Sequence, residues 1–223
     1  MKKLSLILLA LLIAAPVLAV DYYQGPPPGT WDRGEPGSTF QHWTFEEPIP
    51  EGPPMIFDNP FGLPFFELVG AFEFGEWECP PEMDPRGFVT GWHCIDPDGG
   101  TILLHIPNTE FTNGAKTIFM QITSSKVPSD VEVEGHGSNP GGYTSGNWPT
   151  GLPHIQWGSP APYGGSWYTY NYGRVIVPNP QAETITINVP YCTVIDQIVV
   201  DTICTGTVAA DTNTMDEIKA LYR

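Results

Sequence analysis

Apolar and polar positions alternate with a period of two along most of the chain, the pattern of half-buried β-strands. Residues 40–46 (FQHWTFE) place Trp43 and Phe45 on one face, and residues 65–74 (FFELVGAFEF) predict a further strand bounded by Gly75. Trp77-Glu78-Cys79 and Trp92-His93-Cys94 repeat a W-x-C pattern, with Trp and Cys on one face each time. Between them PPEMDPRG reads as a turn, and DPDGG at 96–100 reads as a hairpin turn. Strands are also predicted over 101–106, 115–124, 167–177, 184–189 and 192–203. Ile106-Pro107-Asn108 precedes one strand with Lys116-Thr117-Ile118, and Val177-Pro178-Asn179 precedes another with Glu183-Thr184-Ile185. This is recurrent turn chemistry, since Pro ends a ladder and Asn suits the turn. Helical stretches do not alternate with the strands, so α/β folds are excluded. The expectation is an all-β chain with about eight or nine strands in a single jelly-roll-like β-sandwich, with a barrel as the alternative. Thr214-Met-Asp-Glu217 is a capping-box signature and predicts a short C-terminal helix.

Composition sharpens this picture. The 223 residues include 25 Pro and 24 Gly, about twice ordinary usage. The excess falls in three places: residues 20–38, 47–64 and 135–166. The first reads as an extended arm pinned by Tyr22, Tyr23 and Trp31, the second as a long irregular connection, and the third as a functional loop or flap. Hydrophobic residues make up 41 % and aromatics 12 %, enough for a core, so global disorder is excluded. The formal charge of −16 argues against nucleic acid as a partner, because such a surface repels phosphate.

The first segment reads as an address. Lys2 and Lys3 precede an apolar run over 4–15, and Val17-Leu18-Ala19 offers small residues for cleavage after Ala19. The run is short for a bilayer span of about 20 residues. The organisation expected is therefore a signal peptide at 1–19, the arm at 20–38, a sandwich domain at 39–210 and a tail at 211–223. Cleavage leaves 7 basic and 25 acidic side chains, a formal charge of −18. The mature chain is expected to be secreted or held at the cell surface, without a membrane span.

Export permits disulfides among Cys79, Cys94, Cys192 and Cys204. Residues 192–204 read as one strand about 40 Å long, with Cys192, Val194, Ile198, Val200 and Cys204 on one face. Cys192 and Cys204 then lie too far apart to pair. If all four are oxidised, two bridges join the 79–94 region to this strand; free buried thiols are the alternative.

Catalytic signals are sparse. No nucleophile elbow, HExxH or phosphate loop occurs. The carboxylates Glu67, Glu73, Glu76 and Glu78 would suit a glycosidase if they converged, and a solvated face if they did not. No cofactor is expected; Asp96-Pro97-Asp98-Gly99 is a fragment of a calcium loop. The most suggestive stretch is aromatic and nearly uncharged. Trp148, Trp157, Trp167, Tyr168 and Tyr170 are candidates to stack on a sugar ring or a protein partner, with core packing as the alternative. Trp148 and Trp157 are the better placed for exposure.

The signal segment, TWDRGEPGSTFQHWTF (30–45), IPN before K-x-I, VPNP before Glu183, and IDQIVVDTIC (195–204) together resemble a group of uncharacterised exported bacterial proteins. Members of that group often carry a PEP-CTERM sorting tail; DEIKALYR at the end of this sequence does not match one. The resemblance implies an exported β-sandwich and supplies no catalytic residues. The function expected is non-catalytic binding of extracellular glycan or a surface partner. A structural role in the envelope or matrix, or a hydrolase, are the rivals.

Overall fold

The computed structural model describes residues 25–26, 30–108, 114–136, 154–158 and 161–205. Thirteen strands form two antiparallel sheets: β1 Ser38–Trp43, β2 Glu51–Gly52, β3 Ile56–Asp58, β4 Phe65–Val69, β5 Phe72–Glu78, β6 Phe88–Cys94, β7 Gly100–Pro107, β8 Ala115–Ser124, β9 Asp130–His136, β10 Ile155–Gly158, β11 Trp167–Ile176, β12 Ala182–Val189 and β13 Val194–Thr205. The larger sheet has eight strands in the order β10-β11-β8-β13-β1-β3, with the β5–β6 hairpin joined to the start of β13. The smaller has five, β2-β4-β7-β12-β9. From β6 to β9 successive strands alternate between the sheets, and β11 to β13 do so again. Two antiparallel sheets packed in this way are consistent with the expected β-sandwich. No described helix is long and apolar enough to cross a membrane. The C-terminal helix expected from the capping box lies outside the described residues, as do Tyr22 and Tyr23.

The strand count exceeds the expected eight or nine for identifiable reasons. The apolar run 65–74 is not one strand: Gly70, at φ 111°, breaks it, and the chain passes from the smaller sheet in β4 to the larger in β5. The connection at 47–64 contains two short strands, and alternating Asp130–His136 forms an edge strand not predicted. The DPDGG turn also differs from expectation, because it carries the chain from β6 in one sheet to β7 in the other and is not a hairpin.

The core lies between the sheets. Ile102, Leu104, Ile106, Ile185 and Ile187 of the smaller sheet face Ile118, Met120, Ile122, Ile198 and Val200 of the larger. Period two holds on every one of these strands, and each fully buried aliphatic contributes roughly 1.5–3 kcal/mol. A second cluster gathers Cys79, Met83, Val89, Ala161, Trp167 and Val194. Both W-x-C pairs do share a face, but they serve different clusters: Trp92 and Cys94 the first, Trp77 and Cys79 the second. The face predicted for residues 192–204 is interrupted. A bulge between Ile195 and Gln197 shifts the register, so Val194 joins the second cluster while Ile195, Ile198 and Val200 join the first.

One end of the sandwich is tied by polar groups. Lys116 of β8 and Glu183 of β12, both wholly buried, meet at 2.6 Å across the two sheets. Burial pushes the Glu183 carboxyl up and the Lys116 ammonium opposes that shift. Beside them the Asn108 amide donates to Asn179 Oδ1 at 2.9 Å, and the Cys204 thiol donates to Asn108 Oδ1 at 2.9 Å. The two Pro-Asn echoes of the sequence thus meet in space, and their following strands supply the two halves of the ion pair.

Candidate functional site on the outer face of the smaller sheet

The predicted aromatic stripe is mainly interior. Tyr168, Tyr170 and Tyr172 do share one face of β11, and that face looks into the core. Tyr170 is 7 % exposed, and burial, with Tyr168 adding to it, pushes its phenol up to about 12. Trp167 is fully buried in the second cluster, with its indole N–H donating to the Glu78 carbonyl at 3.1 Å. Side chains with so little accessible surface offer no face for a ligand to stack on, so Trp167 and Tyr170 pack as framework residues. Trp157 is partly buried against the same cluster, and its indole donates to Thr169 Oγ1 at 2.9 Å. Trp148 lies outside the described residues.

The carboxylate cluster divides between the sheets. Glu67 lies on β4, whereas Glu73, Glu76 and Glu78 lie on β5. Glu73 is on the opposite face of β5 from Glu76 and Glu78, and all three are exposed. They do not face one another across a cleft. Asp96 is used locally: Asp98 N–H donates to its Oδ1 at 3.1 Å and Gly99 N–H to its carbonyl at 2.9 Å. Among the described residues no group of three or more His, Cys, Asp or Glu side chains could hold a metal ion.

All four cysteines are free thiols, so the expected two-bridge framework is not present. Its geometry also fails for one pairing. Cys79 packs beside Val194 at the start of β13, and Cys204 lies near its end, so these two cannot meet.

The outer face of the smaller sheet converges differently. Strand alternation brings Phe65 of β4, His105 of β7 and Thr184 of β12 into one cross-strand row. The Phe65 and His105 rings stack, with centroids 4.4 Å apart at 22°. Phe65 is 41 % exposed, so its ring is available to solvent. The Thr184 hydroxyl sits between two imidazoles, 3.2 Å from His105 Nδ1 and 2.8 Å from His136 Nε2. Its one proton can be given to only one of them, so it accepts from the other. The remaining nitrogens, His105 Nε2 and His136 Nδ1, have no hydrogen bond to the described residues. Partial burial lowers the His105 pKa, as does neighbouring His136, while Glu67 opposes them. That direction favours the neutral imidazole, which can both donate and accept. These groups line a depression of about 200 Å3, walled by Phe61, Leu63 and Pro107.

In the sequence His105 falls within a strand pattern, where a hydrogen-bonded structural histidine is the commoner case, and neither it nor His136 stands out as a site. What the sequence lacks is the alignment across strands. The available signal was period two: Phe65, His105 and Thr184 all occupy non-core positions of their strands.

Two other places gather aromatic rings. Tyr163, at φ 58°, stacks on His93 at 4.3 Å, and Trp77 meets the His93 ring edge-on at 6.0 Å. A cleft of about 250 Å3 lies over Trp43, Phe45 and Phe66, with Glu46 and Glu47 at its rim. Its floor rings are nearly buried, and Phe45 and Phe66 pack edge-to-face at 5.0 Å.

No family model matches this chain, and no curated protein matches it. Among solved structures, the enzymatically active domain of bacteriophage CBA120 tailspike protein 4 is similar at 9 % identity and a TM-score of 0.31, over 63 % of this chain. The match spans only 19 % of the tailspike chain. The C-terminal CBM6 of LamC, a marine laminarinase from Zobellia galactanivorans, is similar at 13 % identity and a TM-score of 0.26, over 60 % of this chain and 98 % of that one.

Proposed function

We propose that this chain is an exported, non-catalytic β-sandwich that binds glycan on the outer face of its smaller sheet. The observation that carries the reading is the exposed Phe65–His105 stack beside two imidazole nitrogens with hydrogen-bonding capacity to spare. A pyranose has an apolar C–H face suited to an aromatic ring and hydroxyls that need both donors and acceptors. Imidazole nitrogens and the Thr184 hydroxyl can supply both. The export half of the proposal rests on the basic and apolar segment at 1–19.

A glycan array followed by calorimetry on the strongest hit tests the binding half. Phe65→Ala and His105→Ala are expected to weaken binding at least tenfold while both proteins stay folded. Binding that is unchanged in both variants, or absent across the array, would overturn the assignment. N-terminal sequencing of protein recovered from outside the cell tests export, with Val20 as the expected first residue.

A second reading, a structural component of the envelope or matrix, is favoured by β3. Among the described residues this edge strand pairs only with β1, and both Ile56 and Phe57 are exposed. An unblocked apolar edge invites strand pairing between copies. Concentration-dependent assembly that Ile56→Lys abolishes, with no glycan hit, would favour it.

A further inference from the structure

Of the four cysteines, one pair is placed to react. Cys94 ends β6, and Cys192 lies in the turn between β12 and β13. The Cys192 N–H donates to the Cys94 carbonyl at 2.9 Å, and the Cys94 N–H donates to the Thr193 carbonyl at 2.9 Å. Thr193 N–H in turn donates to the Pro190 carbonyl at 3.2 Å, closing a four-residue turn. Cys192 is the third residue of that turn and has φ 61°. Together these are a positive-φ turn followed by a bulge in which residues 192 and 193 oppose Cys94. Glycine is the residue suited to the first bulge position, and a cysteine there carries a backbone cost of about 1 kcal/mol. Strands bonded in this way hold their Cα atoms about 5–6 Å apart. A disulfide requires roughly 4.4–6.8 Å. The Cys94 thiol is pushed up by burial first, and Cys192 is among the groups that add to the shift, which places the two sulfurs in one electrostatic neighbourhood.

The position has a mechanical consequence. The β5–β6 hairpin joins the larger sheet through two register pairs, His93 with Val194 and Trp92 with Ile195. A covalent link at Cys94 would hold that hairpin, which bears Trp77 and His93, to the centre of the sheet.

We propose that Cys94 and Cys192 form a single reversible disulfide that clasps the β5–β6 hairpin to the start of β13, while Cys79 and Cys204 stay reduced. The oxidant is an external disulfide such as oxidised glutathione. The partly exposed Cys192 attacks it as thiolate, forming a mixed disulfide and releasing one glutathione thiol. Cys94 then displaces the second glutathione, and the Cys192–Cys94 bond forms. Two thiol protons and two electrons leave the protein, and one oxidised glutathione becomes two reduced ones.

The test equilibrates the purified full chain in oxidised and in reduced glutathione buffers, followed by denaturing alkylation and non-reducing peptide mapping. One cross-linked pair containing Cys94 and Cys192 is expected in the oxidised sample, with Cys79 and Cys204 alkylated. The oxidised protein should melt on the order of 10 °C higher, because the bond closes a loop of about 100 residues. Cys192→Gly suits the positive φ, so it should fold and melt at the same temperature in both buffers. Four alkylated cysteines in the oxidised sample, or a cross-link of any other pairing, would overturn the proposal. So would a redox-dependent melting shift retained in Cys192→Gly.

Discussion

The two sheets share one inner pattern and differ on their outer faces. On the larger sheet many outward polar side chains are buried and bond to one another, although Gln41 Oε1 and Gln121 Oε1 have no hydrogen-bond partner among the described residues. The Gln121 amide donates to Asn171 Oδ1 at 2.8 Å, Thr123 and Thr169 hydroxyls meet at 2.8 Å, and His42 bonds Gln197 Oε1 at 2.7 Å. Asp201, wholly buried, takes two bonds from Arg33 at 2.5 and 2.6 Å, and the Arg33 guanidinium also lies 3.8 Å over the Phe40 ring. Arg33 thus anchors the segment before β1. On the smaller sheet the same alternation leaves Phe65, His105, Thr184, Glu134 and His136 partly or fully accessible. Polarity alone does not distinguish a binding face. The difference lies in whether the polar groups spend their hydrogen bonds on each other.

Substitutions should separate the two faces, and the ion pair that joins the sheets should give the largest effect. Glu183→Ala leaves a buried ammonium uncompensated and is expected to cost about 3–5 kcal/mol by urea unfolding. Replacing both partners, Lys116→Met with Glu183→Leu, should restore most of that loss. On the larger sheet, Asp201→Ala removes a buried charge-assisted pair and should cost about 2 kcal/mol without changing glycan affinity. A stability loss below a few tenths of a kcal/mol would show that the Arg33 anchor is not structural.

A pH series comes next in size. Glu183 binds its proton more tightly in the fold than its ordinary value of 4.5. Its protonation therefore favours the folded state, and that contribution is complete below 4.5 and lost as pH rises through the raised folded value. Wild type minus Glu183→Gln stability should fall as pH increases from 4.5, and a rising difference would contradict the burial argument. The smallest stability effect should come from the smaller sheet. Thr184→Val is expected to change stability by about 0.5 kcal/mol, yet to weaken glycan binding about tenfold. Equal losses of stability and affinity there would erase the distinction between the faces.

Much of this division was legible before any coordinates. Strand alternation in 101–106, 115–124 and 184–189 identified core positions directly, because period two leaves no freedom once one face is apolar. The aromatic stripe misled for the same reason: Tyr168, Tyr170 and Tyr172 share a face, but alternation does not say which side of the sheet is the core. The smaller-sheet site was invisible because it depends on register. Phe65, His105 and Thr184 are separated by 40 and 79 residues, and only pairing of β4, β7 and β12 lines them up. Pro-Asn, read as turn chemistry in the sequence, is in the fold also the meeting point of two crossovers.

The place of β13 bears on how the chain reaches this state. It is the last strand described, yet it lies in the middle of the larger sheet, with β8 on one side and β1 and β6 on the other. A chain emerging N-terminus first therefore holds an open slot until about residue 205 is free. Ser38 must then pair with Ile203 across 165 residues. Such long-range closure is slow. It keeps the nascent chain unlocked and leaves its unpaired edges in need of protection until β13 arrives.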